Sequence, residues 1–290
     1  MIDSKQISVV MQGPITGASR DQIANNVLSV RKVLPDSQLI VVTWKGAEVS
    51  AVHHVADQII ELDDPGTTTL GWDQKCNVDR QLKSVHTGLA AASSEFAVRM
   101  RLDTALENDR FVRAYEKMLA DESLATSSLF QQRVMATSIY FRDAAKSNYL
   151  FHPSDIFHFG LRKDLLALWR APLVQEKKSA AHQLALVPEQ YIWIHYLISN
   201  DIPAAHLDAQ RFRWRSMAMS EWSLATNWWV IDAKSNGIVL PDRFLTSNLP
   251  EKTHFETEWR EFVKRSGTRP SLRACRWNVL RKFTRKVKWP

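Results

Sequence analysis

Along the first hundred residues the apolar positions switch repeatedly between a period of two and a helical period. QISVVMQ (6–12) is a β-rich run closed by the turn residues Gly13 and Pro14, and RDQIANNVLSVRKVL (20–34) spaces its apolar residues as a helix does. QLIVVTW (38–44) and DQIIEL (57–62) predict two more strands, and NVDRQLKSVHTGLAAA (77–92) a second helix. A fourth strand follows in EFAVRMRLDTAL (95–106), whose Phe96, Val98, Met100 and Leu102 share one face. This β-α-β rhythm argues for an α/β domain with a mainly parallel sheet, in which ligands sit beyond the C-terminal ends of strands. Those ends carry Gln12 and Gly13, Thr43 and Trp44, Asp63 and Asp64, and Asp103. Four polar strand ends in succession predict a site.

The other face of the fourth strand holds Arg99, Arg101 and Asp103. Two arginines within a strand are costly to bury unless anions meet them. Two partners suit them. One is the diphosphate of a nucleotide sugar, approached also by Asn77 and Arg80 at the start of the second helix, with Asp103 holding a divalent metal or the ribose. The other is a set of structural carboxylates such as Asp63 and Asp64.

From 126 to 245 the pattern is less regular. FQQRVMATSIYF (130–141) reads as a strand pair, FHPSDIFHFG (151–160) as a strand flanked by polar turns, and PEQYIWIHYLISN (188–200) as a helix with Pro188 in its first turn. His152, Asp155 and His158 could ligate a metal or bind acceptor hydroxyls, but in a regular strand Asp155 and His158 face opposite ways. Glu189 falls in the first turn of its helix, where the dipole favours an acid with or without chemistry. Trp222, Trp228 and Trp229 in SEWSLATNWWV are core residues or platforms for sugar rings.

Composition narrows the picture. The chain has 290 residues, 45% of them hydrophobic and 24% charged, and no apolar run long enough to span a membrane. MIDSKQISVV lacks a signal-peptide layout, so a cytoplasmic protein is expected. Cys76 and Cys275 lie too far apart in sequence to suggest a disulfide framework or zinc site. A net charge of +7 raises nucleic acid as a partner, but from Arg269 onward there are eight basic residues and no acid, which leaves the rest nearly neutral. The basicity thus belongs to a tail and not to a nucleic-acid groove. There Leu272, Cys275, Val279, Phe283 and Val287 recur at helical steps among basic residues. The pattern predicts an amphipathic helix that meets an anionic membrane surface through Arg276, Trp277, Arg281, Lys282, Phe283, Arg285 and Lys286. A solvated helix packed on its own domain is the alternative.

Taken in order, ISVVMQGPI (7–15), IVVTWKG (40–46), DDPG (63–66), NVDRQLKSVHTGL (77–89), RMRLD (99–103), HPSDIFHFG (152–160) and PEQY (188–191) resemble the WavE-type family of lipopolysaccharide synthesis proteins. These are taken to be glycosyltransferases with a GT-A-like nucleotide-sugar domain. The resemblance implies that Gln12, Gly13 and Trp44 line the base and ribose, that Asp63 and Asp64 close that pocket, and that Asn77, Arg80 and Arg101 approach the diphosphate; Pro14 beside Gly13 and Arg99 behind Arg101 are counted with the nucleotide-sugar-binding residues. It makes Asp103 the counterpart of the second acid of a DxD motif. The first acid position is Arg101, which puts positive charge where a cation would sit, so Mn²⁺ or Mg²⁺ dependence stays open. Asp155 and Glu189 are the candidates for a base acting on the acceptor hydroxyl.

The expected organisation is a nucleotide-sugar half (1–125), an acceptor half (126–250) and a helical basic extension (251–290). The expected function is transfer of a sugar, from UDP for preference, to a lipopolysaccharide core or other lipid-linked glycan, at the inner face of the cytoplasmic membrane. A nucleotidyltransferase is the weaker reading, since QGPITGAS carries no lysine. A non-enzymatic membrane-surface adaptor is the other.

Overall fold

Runs of β-branched residues become strands here, and their burial on both faces is what a parallel sheet between helices requires. The computed structural model describes all residues except 72–73, 148, 177–179, 210–213, 249–251 and 268–290. Its strands are β1 (Ile7–Gln12), β2 (Gln38–Trp44), β3 (Gln58–Leu62), β4 (Thr68–Leu70), β5 (Gln74–Cys76), β6 (Phe96–Arg101), β7 (Ala105–Leu106), β8 (Val134–Thr137), β9 (Phe157–Leu161), β10 (Trp228–Ile231) and β11 (Ile238–Val239). Among the described residues seven strands form one sheet in the order β10-β8-β9-β6-β1-β2-β3. Only β9 runs against its neighbours, β6 and β8; the other pairs are parallel. The mixed α/β architecture with a mainly parallel sheet is therefore the one expected.

Strand order reverses beside β1. The chain lays β2 and β3 on one side of it, then returns to place β6 on the other. In open α/β sheets the crevice at such a reversal, outside the carboxyl ends, is where ligands bind.

Register divides the sheet chemically. Gln12 pairs with Arg101 and Arg99 with His158, so all four lie on one face. That face is covered by the helices Val78–Ala91 and Arg162–Leu168, the latter leading to the buried Trp169. On the other face Phe157 and Phe159 meet Phe111 of the helix Arg110–Leu119, with ring centroids 5.3 and 5.2 Å apart.

The middle segment departs from its expected form. FQQRVMATSIYF gives one strand, β8, because Tyr140 takes a positive φ of 60° and turns the chain. In FHPSDIFHFG only Phe157 onward enters the sheet. Pro153 has no N–H to donate to a ladder, and Asp155 lies in the irregular stretch before β9, where strand alternation does not fix its direction. Trp222, Trp228 and Trp229 are buried, so they are core and not exposed sugar platforms. Trp228 packs against Trp193 at 5.3 Å and Phe130 at 6.0 Å. No described helix is long and apolar enough to cross a membrane. The basic tail with Arg276, Trp277, Arg281, Lys282, Phe283, Arg285 and Lys286, and Cys275 with it, lies outside the described residues.

Candidate functional site

β1 ends at Gln12, and Gly13 follows at φ 146°, a backbone conformation that favours glycine. Its N–H donates to the Val42 carbonyl (3.2 Å), while the Leu102 N–H donates to the Gln12 carbonyl (3.0 Å), which ties together the ends of β1, β2 and β6. Asn26, from the helix Arg20–Val33, donates through Nδ2 to the Leu102 carbonyl at 2.9 Å and fixes that helix over the same ends. Between them opens a cleft of about 600 Å³, lined by Gln12, Gly13, Pro14, Arg101 and Asp103 on the sheet side. Its far wall is the segment Val239–Arg243. Gln12 accepts a hydrogen bond from Ser84 (3.2 Å) through Oε1, and its buried Nε2 has no partner among the described residues.

Asp103 is gripped from two directions. Arg101 donates through Nε and Nη2 to the two carboxylate oxygens, both at 3.0 Å, in the fork geometry that suits a carboxylate. Arg243, on the helix Asp242–Ser247, donates to Oδ2 as well. The Phe244 ring lies beneath both guanidiniums, 5.2 Å from Arg101 and 4.7 Å from Arg243. Burial opposes ionisation of Asp103, but the Arg101 hydrogen bonds and charge, with Arg243 behind them, hold its carboxyl below the usual carboxylate range. Arg101 is likewise disfavoured by burial, yet Asp103 keeps it above the ordinary guanidinium value. Such a carboxylate does not fit a divalent cation: its oxygens are engaged by two guanidiniums, and among the described residues no three His, Cys, Asp or Glu side chains converge as ligands.

The other strand-end residues pair among themselves. Asp63 meets Lys45 at 2.9 Å, and Asp64 accepts from Arg80 Nε at 2.7 Å. Arg80 Nη1 donates to Asn77 Oδ1 at 3.0 Å. Of the described residues lining the cleft none is Trp44, Asp63, Asp64, Asn77, Arg80, Arg99, Asp155 or Glu189, so these eight are not brought to it. Nor do Asp63 and Asp64 serve as partners of Arg99 and Arg101, because nearer cations hold them.

Arg99 is fully buried, with its guanidinium 4.5 Å over the Trp169 ring. None of its three nitrogens finds a hydrogen-bond partner among the described residues. Burial lowers it to about 10, against the pull of Asp155, Asp103 and Glu189. Glu189 heads the helix Pro188–Ser199 as expected. Burial first, and then the Asp155 charge, push its carboxyl up to about 8 against the opposing pull of Arg142 and Arg99. His152 Nε2 stands 3.9 Å from Glu189 Oε2, but burial and Arg142 lower His152 to about 3, so the contact is with a neutral ring. Asp155 and Glu189 are thus brought into one electrostatic cluster, backed by Arg99.

His158 does not join His152 and Asp155 as a metal ligand. Its Nε2 contacts the Ser154 carbonyl at 2.7 Å and its Nδ1 accepts from Trp169 Nε1 at 3.3 Å, so both ring nitrogens are spent. Burial and Arg99 hold it neutral, at about 3. Arg243 and Arg142 are the residues that sequence reasoning missed. Arg243 follows a Pro-Asp helix start in LPDRF, an ordinary surface signal that carries no hint of its partner.

A family model described as WavE lipopolysaccharide synthesis matches residues 7–288. No curated protein matches the chain.

Proposed function

The chain belongs to the WavE lipopolysaccharide synthesis family, and from that premise we propose that it is a glycosyltransferase of GT-A-like architecture, taking a sugar from a nucleoside diphosphate, UDP for preference, to a lipid-linked glycan. The observation that carries this reading is the cleft at the strand-order reversal, where Gln12, Gly13 and Pro14 at the end of β1 face Arg101 and Asp103 at the end of β6. Residues 1–125 then form the donor half, 126–250 the acceptor half, and 251–290 an extension whose basic end meets an anionic inner-membrane surface.

In the transfer, the acceptor hydroxyl oxygen bonds to the anomeric carbon as the bond from that carbon to the β-phosphate oxygen breaks. The nucleoside diphosphate leaves with the bonding pair, and the hydroxyl proton passes to a base. The barrier falls through fixed positive charge at the leaving group and through alignment of the acceptor. Asp155 and Glu189 are the groups suited to the proton, and burial pushes the Glu189 carboxyl up to about 8, into the working range of a base.

The test is a thermal-shift screen of the purified protein against UDP, GDP, CDP and CMP. One nucleotide class is expected to raise the melting temperature, since a ligand that binds only the folded state stabilises it. No shift with any of the four would reject the donor reading.

A further inference from the structure

We propose that Arg101 and Arg243 together bind the leaving diphosphate directly, so that this site works without a divalent cation on Asp103; the inference rests on the donor reading above. Both guanidiniums line the cleft, and both are held by the same carboxylate, which offsets one of their two positive charges and leaves the other for an incoming anion. Arg243 is 57% exposed on a short helix, whereas Arg101 is anchored in β6 and 27% exposed. One arm of the clamp can therefore move while the other stays fixed.

A diphosphate offers pairs of anionic oxygens as the carboxylate does, more of them and with more negative charge. The planar fork of an arginine reads either anion bidentately. Entry of the donor would exchange Asp103 for phosphate oxygens on Arg243, with the Phe244 ring keeping both guanidiniums oriented. A cation placed on Asp103 would have to displace these two charges or sit against them. Asp242, the other acid at the cleft, lies in the first turn of the same short helix that carries Arg243. Arg80, which the sequence suggested for the diphosphate, is committed to Asp64 and Asn77. Arg99 has no atom at the surface of the cleft.

The experiment is titration calorimetry of the full chain with the nucleoside diphosphate that gives the largest thermal shift, in EDTA and in Mn²⁺. Affinity should agree between the two within about twofold, and Arg243→Ala should weaken it about tenfold or more, the loss expected for charged hydrogen bonds. Arg243→Lys should fall between, because it keeps the charge and loses the fork. Asp103→Asn should bind the diphosphate at least as tightly as the parent, with melting temperatures of the ligand-free proteins checking that each variant folds. Binding only in Mn²⁺, loss of binding in Asp103→Asn, or unchanged affinity in Arg243→Ala would each overturn the clamp while leaving the donor reading intact. Absence of binding under both conditions would reject the donor reading itself, and the clamp with it.

Discussion

Asp103 stays ionised because two guanidiniums grip it, whereas for Glu189 burial and the Asp155 charge outweigh the pull of Arg142 and Arg99, and it holds its proton up to about pH 8. The difference has a thermodynamic sign. Between the ordinary carboxylate value of 4.5 and about 8 the folded chain keeps a proton at Glu189 that the unfolded chain has released. Folding stability therefore falls as pH rises through that window and is level above it. Glu189→Gln removes the ionisable group, so its melting temperature should exceed the parent's by more at pH 9 than at pH 5. An equal difference at both pH values would mean that Glu189 ionises normally. The same group can accept a proton only once it is deprotonated. Sugar transfer by the parent should climb with pH to about 8, and the Gln variant should be pH-flat there and about a hundredfold slower.

The helix Val78–Ala91 is the element that joins the sheet to the site, since Ser84 meets Gln12 and Gly88 lies against Val10 and Val42. In an exposed helix Gly→Ala would stabilise by about 1 kcal/mol. Here the added methyl would run into the Val10 side chain, and overpacking of that kind costs about 1–3 kcal/mol. Gly88→Ala is expected to lower the urea midpoint, while Gly17→Ala, whose methyl meets open space, should not. A raised midpoint for Gly88→Ala would show that helix and sheet can separate there. Elements of this kind were legible because periodicity reports burial directly: β1, β2 and β3 and the two long helices among them lie within a residue or two of where the pattern puts them, whereas the fourth strand, expected over 95–106, ends as β6 at Arg101 and leaves Ala105–Leu106 to a separate strand, β7. The region from Ser138 to Ile156 was not, because positive φ at Tyr140 and Phe151 sets its path, and no periodicity signals that. At the site, Gln12, Gly13, Pro14, Arg101 and Asp103 were readable as strand ends. Arg243 was not, because its partner stands 140 residues away. Arg80 was expected at the diphosphate, but it pairs with Asp64, and neither of them lines the cleft.

At the scale of the whole molecule, charge and packing divide the C-terminal extension into two parts. The helix Glu256–Ser266 belongs to the folded body: Trp259 is fully buried, its ring 5.2 Å from Phe141, and its Nε1 donates to the Trp228 carbonyl of β10 at 3.1 Å. Phe262 and Val263 are buried beside it. The eight basic residues begin only afterwards, at Arg269. A chain ending at Gly267 should therefore keep the parent's melting temperature, because the contacts of Trp259 among the described residues all survive the cut. It should lose the tail's attraction to an anionic surface, to which each nearby Lys or Arg contributes about 1 kcal/mol at low screening. Co-sedimentation with vesicles of anionic and of neutral phospholipid separates the two parts. The full chain is expected to pellet with anionic vesicles at low salt, to release as salt shortens the reach of its charges, and to ignore neutral ones. The shortened chain should stay in the supernatant in every case. If both chains sediment alike, the tail does not hold the protein at a membrane, and the acceptor must reach the cleft by another route.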